Sequence, residues 1–157
     1  MPVLEVITVW QPWASLIMAG VKPYEFRDWD LPMALRNKRH GVHAGARKVK
    51  VDEINDLIRR IEGPEPWTAG LYKSALPLLR SWRDAPETLP RSCVLGTAFF
   101  GSPVLGSVIA RDFGAPINDA DRAARAKWGW PVSAIEYFEP PVPARGAQKW
   151  WKWQAPA

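Results

Sequence analysis

Residues 11–27 read QPWASLIMAGVKPYEFR, and this stretch decides how the rest of the chain is interpreted. Pro12 opens an apolar run and Gly20 stands just after its end. Proline suits the first turn of a helix and glycine suits the position after the last turn, so a short helix is predicted over residues 11–19. Residues 3–10, directly before it, are nearly all apolar and rich in β-branched types. They predict a strand that is covered on both faces.

The charged end of this stretch predicts a cluster of three side chains. Glu25 and Arg27 are two residues apart, so they share one face of a strand. Lys22 joins them if the chain turns at Pro23. Such a cluster can hold a carboxylate ionised between two cations, or lower the pKa of the lysine if the site is dry. It is either a site for an anion or a base edge, or a surface salt-bridge cluster of little energetic value.

The other segments predict more strands than helices. An amphipathic helix is indicated by apolar residues at three- and four-residue intervals, namely Val51, Ile54, Leu57, Ile58 and Ile61. Residues 63–90 are rich in proline, and we expect an irregular insertion with one or two helical turns, packed by its own apolar residues. Strands are expected within residues 21–29, 41–46, 92–110 (two, joined by a turn) and 134–138, a helix at 118–127 and an aromatic segment at 148–154.

The composition bounds the fold class. The chain has 157 residues and 47% hydrophobic side chains, so we expect residues 1–157 to form a single domain. Sixteen prolines disfavour a helical bundle, because each one removes a backbone donor and fixes φ. Strands and helices do not alternate regularly along the chain. The predicted fold class is therefore α+β, with a small mixed β-barrel and flanking helices.

Positive charge is concentrated in two stretches. Residues 31–51 and 140–157 carry nine basic side chains and no acid, whereas the net charge of the whole chain is only +5. If the fold brings the two stretches together, they form a positive surface that suits a phosphate backbone. The alternative is two solvated loops that never meet.

Several classes of site and location are disfavoured. Cys93 is the only cysteine, which excludes an intramolecular disulfide and a cysteine-based metal site. His40 and His43 are three residues apart and point to opposite faces of a strand, so we expect no shared metal. The sequence contains no Gly-rich phosphate loop, and we expect no cofactor. No signal peptide is recognised, and the uncharged run 92–110 contains three glycines and a proline, so it is interpreted as strands rather than a membrane span. We expect a cytoplasmic monomer.

The pattern GxKxxExR at residues 20–27, directly behind QPWASL, closely resembles the signature of ASCH domains, a group within the PUA-like superfamily. Three later segments resemble the family in the same order: GVHA at 41–44, VLGTA at 94–98 and GAQKWW at 146–151. The resemblance spans almost the whole chain. It implies a PUA-like barrel with a basic cleft beside the GxKxxExR segment, and as ligand RNA, another single-stranded nucleic acid, or a nucleoside or nucleotide.

The residues expected to bind nucleic acid in that cleft are Lys22, Glu25, Arg27, Trp29, Arg39, His43, Arg47, Arg145 and Lys149. The arginines and Lys22 would contact phosphate or base edges, and Glu25 would accept a hydrogen bond from a base amino group. Trp29 lies between two aspartates and is expected to be the exposed ring, suited to stacking on bases. Trp10 and Trp13 are expected mainly in the core. His43 is either a polar wall residue of the cleft or a satisfied barrel histidine.

Two further functions stay open. Some small bacterial members of the superfamily resemble hydrolases of modified cytidine and others ribonucleases, so the first is an amidohydrolase of N4-acylcytidine type or a ribonuclease that acts on single-stranded RNA. The catalytic lysine of the amidohydrolase branch matches Lys22, but its threonine nucleophile is replaced here by Glu25. Lys22 and Glu25 could instead act as a proton-transfer pair, with Asp119 and Asp121 as the nearest candidates for the branch's further acid. Alternatively, the insertion at 63–90 docks a partner protein.

Overall fold

A computed structural model describes residues 3–113 and 128–156. The helix expected at 118–127, with Asp119 and Asp121, lies outside these residues. The strands are β1 (Val3–Val9), β2 (Tyr24–Arg27), β3 (Lys38–Ala44), β4 (Cys93–Phe100), β5 (Val104–Leu105), β6 (Trp128–Pro143) and β7 (Trp150–Gln154). The α-helices are α1 (Trp13–Met18), α2 (Val51–Glu62), α3 (Ala75–Asp84) and α4 (Gly106–Asp112), and single 3-10 turns lie at Met33–Leu35, Pro66–Ala69 and Pro86–Thr88.

The strands form one mixed sheet in the order β2-β6-β4-β3-β1-β7, with β5 paired to β6. β1 and β3 are parallel and the other neighbours are antiparallel. The α+β class predicted from the sequence is confirmed. Closure into a barrel is not confirmed, because within residues 3–113 and 128–156 no pairing joins the end strands β2 and β7.

Two apolar clusters stabilise this arrangement. One lies between the sheet and α1, where Ile17 packs with Phe100 and Trp130. The other lies among α1, α2 and α3 and contains Leu16 and Leu79. Each fully buried side chain of this size contributes about 1.5–3 kcal/mol. α1 therefore anchors the sheet to the helical layer and fixes where the chain re-emerges towards β2.

The structure corrects two segments. The insertion at 63–90 is not packed by its own residues alone, because α3 spans ten residues and shares its apolar cluster with α1 and α2. The second strand expected within 92–110 is only the two-residue β5, and α4 follows at once. Ile109 of α4 packs into the space left by the missing side chain of Gly129 in β6. In the described part of the chain, no helix is long and apolar enough to cross a membrane.

Candidate functional site

A cavity of about 800 Å³ lies between β2 on one side and, on the other, the ends of β1 and β3 with the segment that precedes β7. It therefore occupies the opening between the two ends of the sheet. Its walls include seven of the nine residues predicted to bind nucleic acid: Lys22, Glu25, Arg27, Trp29, His43, Arg145 and Lys149. Wall residues that the sequence interpretation did not single out as site residues include Thr8, Trp10, Phe26 and Gly146.

The charged cluster predicted from residues 22–27 is present at the wall of this cavity. Gly20 has a positive φ of 75°, and the amides of Val21 and Lys22 both donate to the Leu16 oxygen, which turns the chain out of α1. β2 then places Glu25 and Arg27 on one face, as the two-residue period predicts. Lys22 reaches the same carboxylate across Pro23. The Glu25 carboxylate lies 3.7 Å from Lys22 Nζ and 3.5 Å from Arg27 Nη2.

Glu25 is buried, with 6% of its surface exposed, and its two carboxylate oxygens differ. Oε1 accepts a hydrogen bond of 3.1 Å from the Phe26 amide. Oε2 faces Arg27 but has no hydrogen-bond donor among the described residues. Arg27 Nε likewise has no hydrogen-bond acceptor among them. Buried polar atoms are normally paired, so each such atom needs an explanation. Both residues line the cavity, so an acceptor and a donor without a partner lie in its wall.

Lys22 is equally buried, with 5% of its surface exposed. Its ammonium donates to the Tyr24 oxygen and lies 4.9 Å from the centre of the Phe26 ring. Burial lowers the pKa of Lys22 below its ordinary value, and the nearby Glu25 carboxylate opposes that effect. The Lys22 side chain is thus held in the cavity wall by one carboxylate and one carbonyl.

His43 belongs to a hydrogen-bonded chain that holds the far wall of the cavity. Trp151 Nε1 donates to Thr8 Oγ1 over 2.9 Å, and this hydroxyl is 3.1 Å from His43 Nδ1. His43 Nε2 is 2.7 Å from the Ala144 oxygen, so it carries the proton and donates. Burial lowers the pKa of His43, which favours this neutral form. His43 is therefore a polar residue of the cavity wall, and both of its ring nitrogens have hydrogen-bond partners.

Glycine is required at position 146 for this wall to close. A Cβ on Gly146 would lie 2.4 Å from His43 Cε1 and 2.9 Å from Thr8 Oγ1. The backbone of residues 145–149 can therefore lie directly on His43 and Thr8 only without a side chain there. This brings Arg145 and Lys149 to the mouth of the cavity.

The two basic stretches meet only in part. Arg145 and Lys149 line the cavity, and both are exposed. Arg39 does not line it, because its guanidinium donates to Thr97 Oγ1 over 2.9 Å and pairs with Glu136 at 3.8 Å. Arg47 does not line it either, but its guanidinium carbon lies 3.9 Å from the centre of the Trp10 ring at the cavity mouth.

The tryptophans are distributed differently from the expectation. Trp10 is not in the core, because β1 ends at Val9 and 53% of the Trp10 surface is exposed. Trp29 is only half-buried, with its ring 4.9 Å from that of Trp130 and 5.6 Å from Lys149 Nζ. Trp13 is half-buried between the two apolar clusters. Of the terminal rings, Trp150 packs on the core.

Metal ligands are not gathered anywhere in residues 3–113 and 128–156, where no three His, Cys, Asp or Glu side chains lie close enough to hold an ion. The site chemistry rests instead on charge, hydrogen bonds and aromatic faces. It offers one buried carboxylate oxygen, an ammonium, a guanidinium nitrogen and cations at an open mouth.

The comparison with solved structures shows a structural likeness. No family model matches the sequence, and no curated protein matches it. Among solved structures, the chain is similar to the crystal structure of ASCH from Zymomonas mobilis, at 15% identity and a TM-score of 0.44. The alignment covers 88% of this chain and 72% of that chain. That structure carries the name of the family that the sequence motifs resemble.

Proposed function

We propose that this protein binds single-stranded nucleic acid, RNA in preference to DNA, and takes one base into the cavity beside Lys22 and Glu25. The observation that carries the proposal is the buried Glu25 Oε2, which lies at a cavity wall without a hydrogen-bond donor in the described part of the chain. An exocyclic amino group of a base is a donor that fits it. Lys22 and the Arg27 guanidinium would supply donors for acceptor atoms of the same base.

The mouth of the cavity supports the same proposal. Arg145 and Lys149 are exposed, and within residues 3–113 and 128–156 neither pairs with a carboxylate. Cations of this kind are available to phosphate groups. A cavity of about 800 Å³ is larger than a single base needs, so sugar and phosphate fit beside the base. The preference for RNA rests on the resemblance of GxKxxExR to ASCH domains.

Fluorescence anisotropy with a labelled 12-nucleotide RNA and the matching DNA tests this proposal. We expect binding that weakens as salt rises, because the phosphate contacts release counterions. Glu25→Gln removes the charge but keeps the shape, and should lower the affinity at least about tenfold. Glu62→Gln is the matched control, since Glu62 pairs with Arg80 on an exposed surface. Thermal unfolding of each variant separates lost binding from lost structure. No binding of either strand by the wild type at low salt would refute the proposal.

A hydrolase is the second candidate, favoured by the lowered pKa of Lys22 and its separation of 3.7 Å from Glu25. Lys22 and Glu25 could exchange a proton with a substrate held in the cavity. N4-acetylcytidine and single-stranded RNA are the substrates to incubate with the protein, with and without a divalent metal. Product formation that Lys22→Met abolishes would establish the hydrolase, and no product from either substrate would exclude these two reactions.

A further inference from the structure

Trp10 differs from the other tryptophans in residues 3–113 and 128–156 because more than half of its surface is exposed. Single exposed apolar side chains are common, so exposure alone argues little. The ring is, however, held in place. The guanidinium carbon of Arg47 lies 3.9 Å from the ring centre. An aromatic side chain that is both exposed and fixed at a cavity mouth is a ready surface for stacking.

Arg47 is itself fixed by an ion pair with Glu53 in the first turn of α2. The guanidinium thus contacts both a carboxylate and an indole ring. Little of it remains for a phosphate, in contrast to Arg145 and Lys149. Arg47 is therefore a positioning residue for Trp10 rather than the phosphate contact that its place in a basic stretch suggests.

We infer that Trp10, backed by Arg47, is a second base subsite, which stacks the nucleotide next to the one whose base enters the cavity. This inference rests on the proposed function and narrows its ligand to a single strand of at least two nucleotides. Stacking on an aromatic face is tolerant of sequence, because every base has a π-face. The cavity would select a base, and the Trp10 subsite would accept any neighbour.

The experiment compares four nucleoside 5′-monophosphates with trinucleotides of the same bases, by competition against a labelled RNA. The wild type should bind the trinucleotide more tightly than the mononucleotide. Trp10→Ala should reduce this gain by about 5- to 150-fold, the range that loss of one base–aromatic stack produces. Trp10→Phe should keep most of the gain. Tyr72→Ala is the matched control, because Tyr72 is an exposed aromatic residue that does not line the cavity.

The salt dependence of RNA binding tests the role of Arg47 separately. If Arg47 only supports the ring, Arg47→Ala lowers the affinity for the 12-nucleotide RNA but leaves the slope of log affinity against log salt unchanged. Lys149→Ala should instead reduce that slope by about 0.7, the value for one phosphate contact on a single strand. A slope reduced equally in Arg47→Ala would make it a phosphate contact and overturn the supporting role.

The failures are distinguishable. If the wild type binds mononucleotides and trinucleotides equally well, or if Trp10→Ala keeps the full gain, the second subsite is wrong and the cavity proposal stands. If the wild type binds neither, both are wrong. Thermal unfolding of Trp10→Ala should match the wild type closely, since the side chain lies largely outside the core.

Discussion

Arg27 in β2 donates a hydrogen bond of 3.4 Å from Nη2 to the backbone oxygen of Thr8 in β1. β2 lies at one end of the sheet and β1 is next to the other end, so this bond links parts that are far apart along the strand order. The same guanidinium faces the Glu25 carboxylate. Arg27 thus contacts both the backbone of a distant strand and the carboxylate in the cavity wall.

Replacing Arg27 should therefore lower the free energy of unfolding. Arg27→Met removes the bond to Thr8 and leaves Glu25 with Lys22 alone, and we expect a loss of about 1–3 kcal/mol in the free energy of unfolding. Arg80→Met, which breaks only an exposed pair with Glu62, should cost less than about 1 kcal/mol. Urea unfolding of both variants measures the difference. Equal losses would mean that Arg27 does not link the two parts of the sheet.

The close approach of Gly146 to His43 gives a second prediction. Gly146→Ala forces a Cβ into contact with the imidazole, so residues 145–149 must move outward. We expect a destabilisation of about 1–3 kcal/mol and weaker RNA binding, because Lys149 moves with this segment. Gln148→Ala, a change on an exposed side chain of the same segment, is the control for stability. Lys152→Ala, an exposed residue that does not line the cavity, is the control for binding. An unchanged melting temperature in Gly146→Ala would show that the segment does not rest on His43.

The charged cluster could be predicted from the sequence because its geometry depends only on residues close together in the chain. Two residues of separation place Glu25 and Arg27 on one face of a strand, and a proline turn lets Lys22 fold back. β1, α1 and α2 were predictable for a similar reason, since apolar period and terminal signals lie within each segment. None of these inferences required knowing which strands are neighbours.

The position of Arg39 and the exposure of Trp10 could not be predicted in this way. Arg39 and His43 share a face of β3, but four residues of extended chain separate them by about 13 Å, which is enough to leave Arg39 outside the cavity. Trp10 continues an apolar run in the sequence, yet β1 ends one residue earlier. Whether the sheet closes depends on contacts between its end strands, and residue patterns along one strand do not report them.

Acid should destabilise the protein through its two histidines. Burial lowers the pKa of His40 and His43, and their backbone hydrogen bonds to Leu35 and Ala144 oppose it only in part. The unfolded chain therefore binds protons first as the pH falls below about 6.5, so stability decreases until the pH has passed below the folded-state pKa values. Each histidine contributes a slope of at most about 1.4 kcal/mol per pH unit.

Urea unfolding between pH 7.5 and pH 5 measures this slope, in a range above most carboxylate titrations. His40→Asn and His43→Asn should each flatten it, and the double variant should be the flattest. A double variant with the wild-type slope would assign the effect to other groups.

Alkaline pH should weaken RNA binding through Lys22. Because burial lowers its pKa, Lys22 loses its charge at a pH below the ordinary range for lysine, and the cavity then loses the cation opposite Glu25. We expect the affinity of the wild type to be lower above that lowered pKa than below it, at constant salt. Lys149→Ala should bind more weakly at every pH but keep the same pH dependence, since Lys149 is exposed at the mouth. Anisotropy titrations at half-unit steps up to pH 9.5 measure both curves. A Lys22→Met variant with the same pH dependence as the wild type would mean that the charge of Lys22 does not contribute to binding.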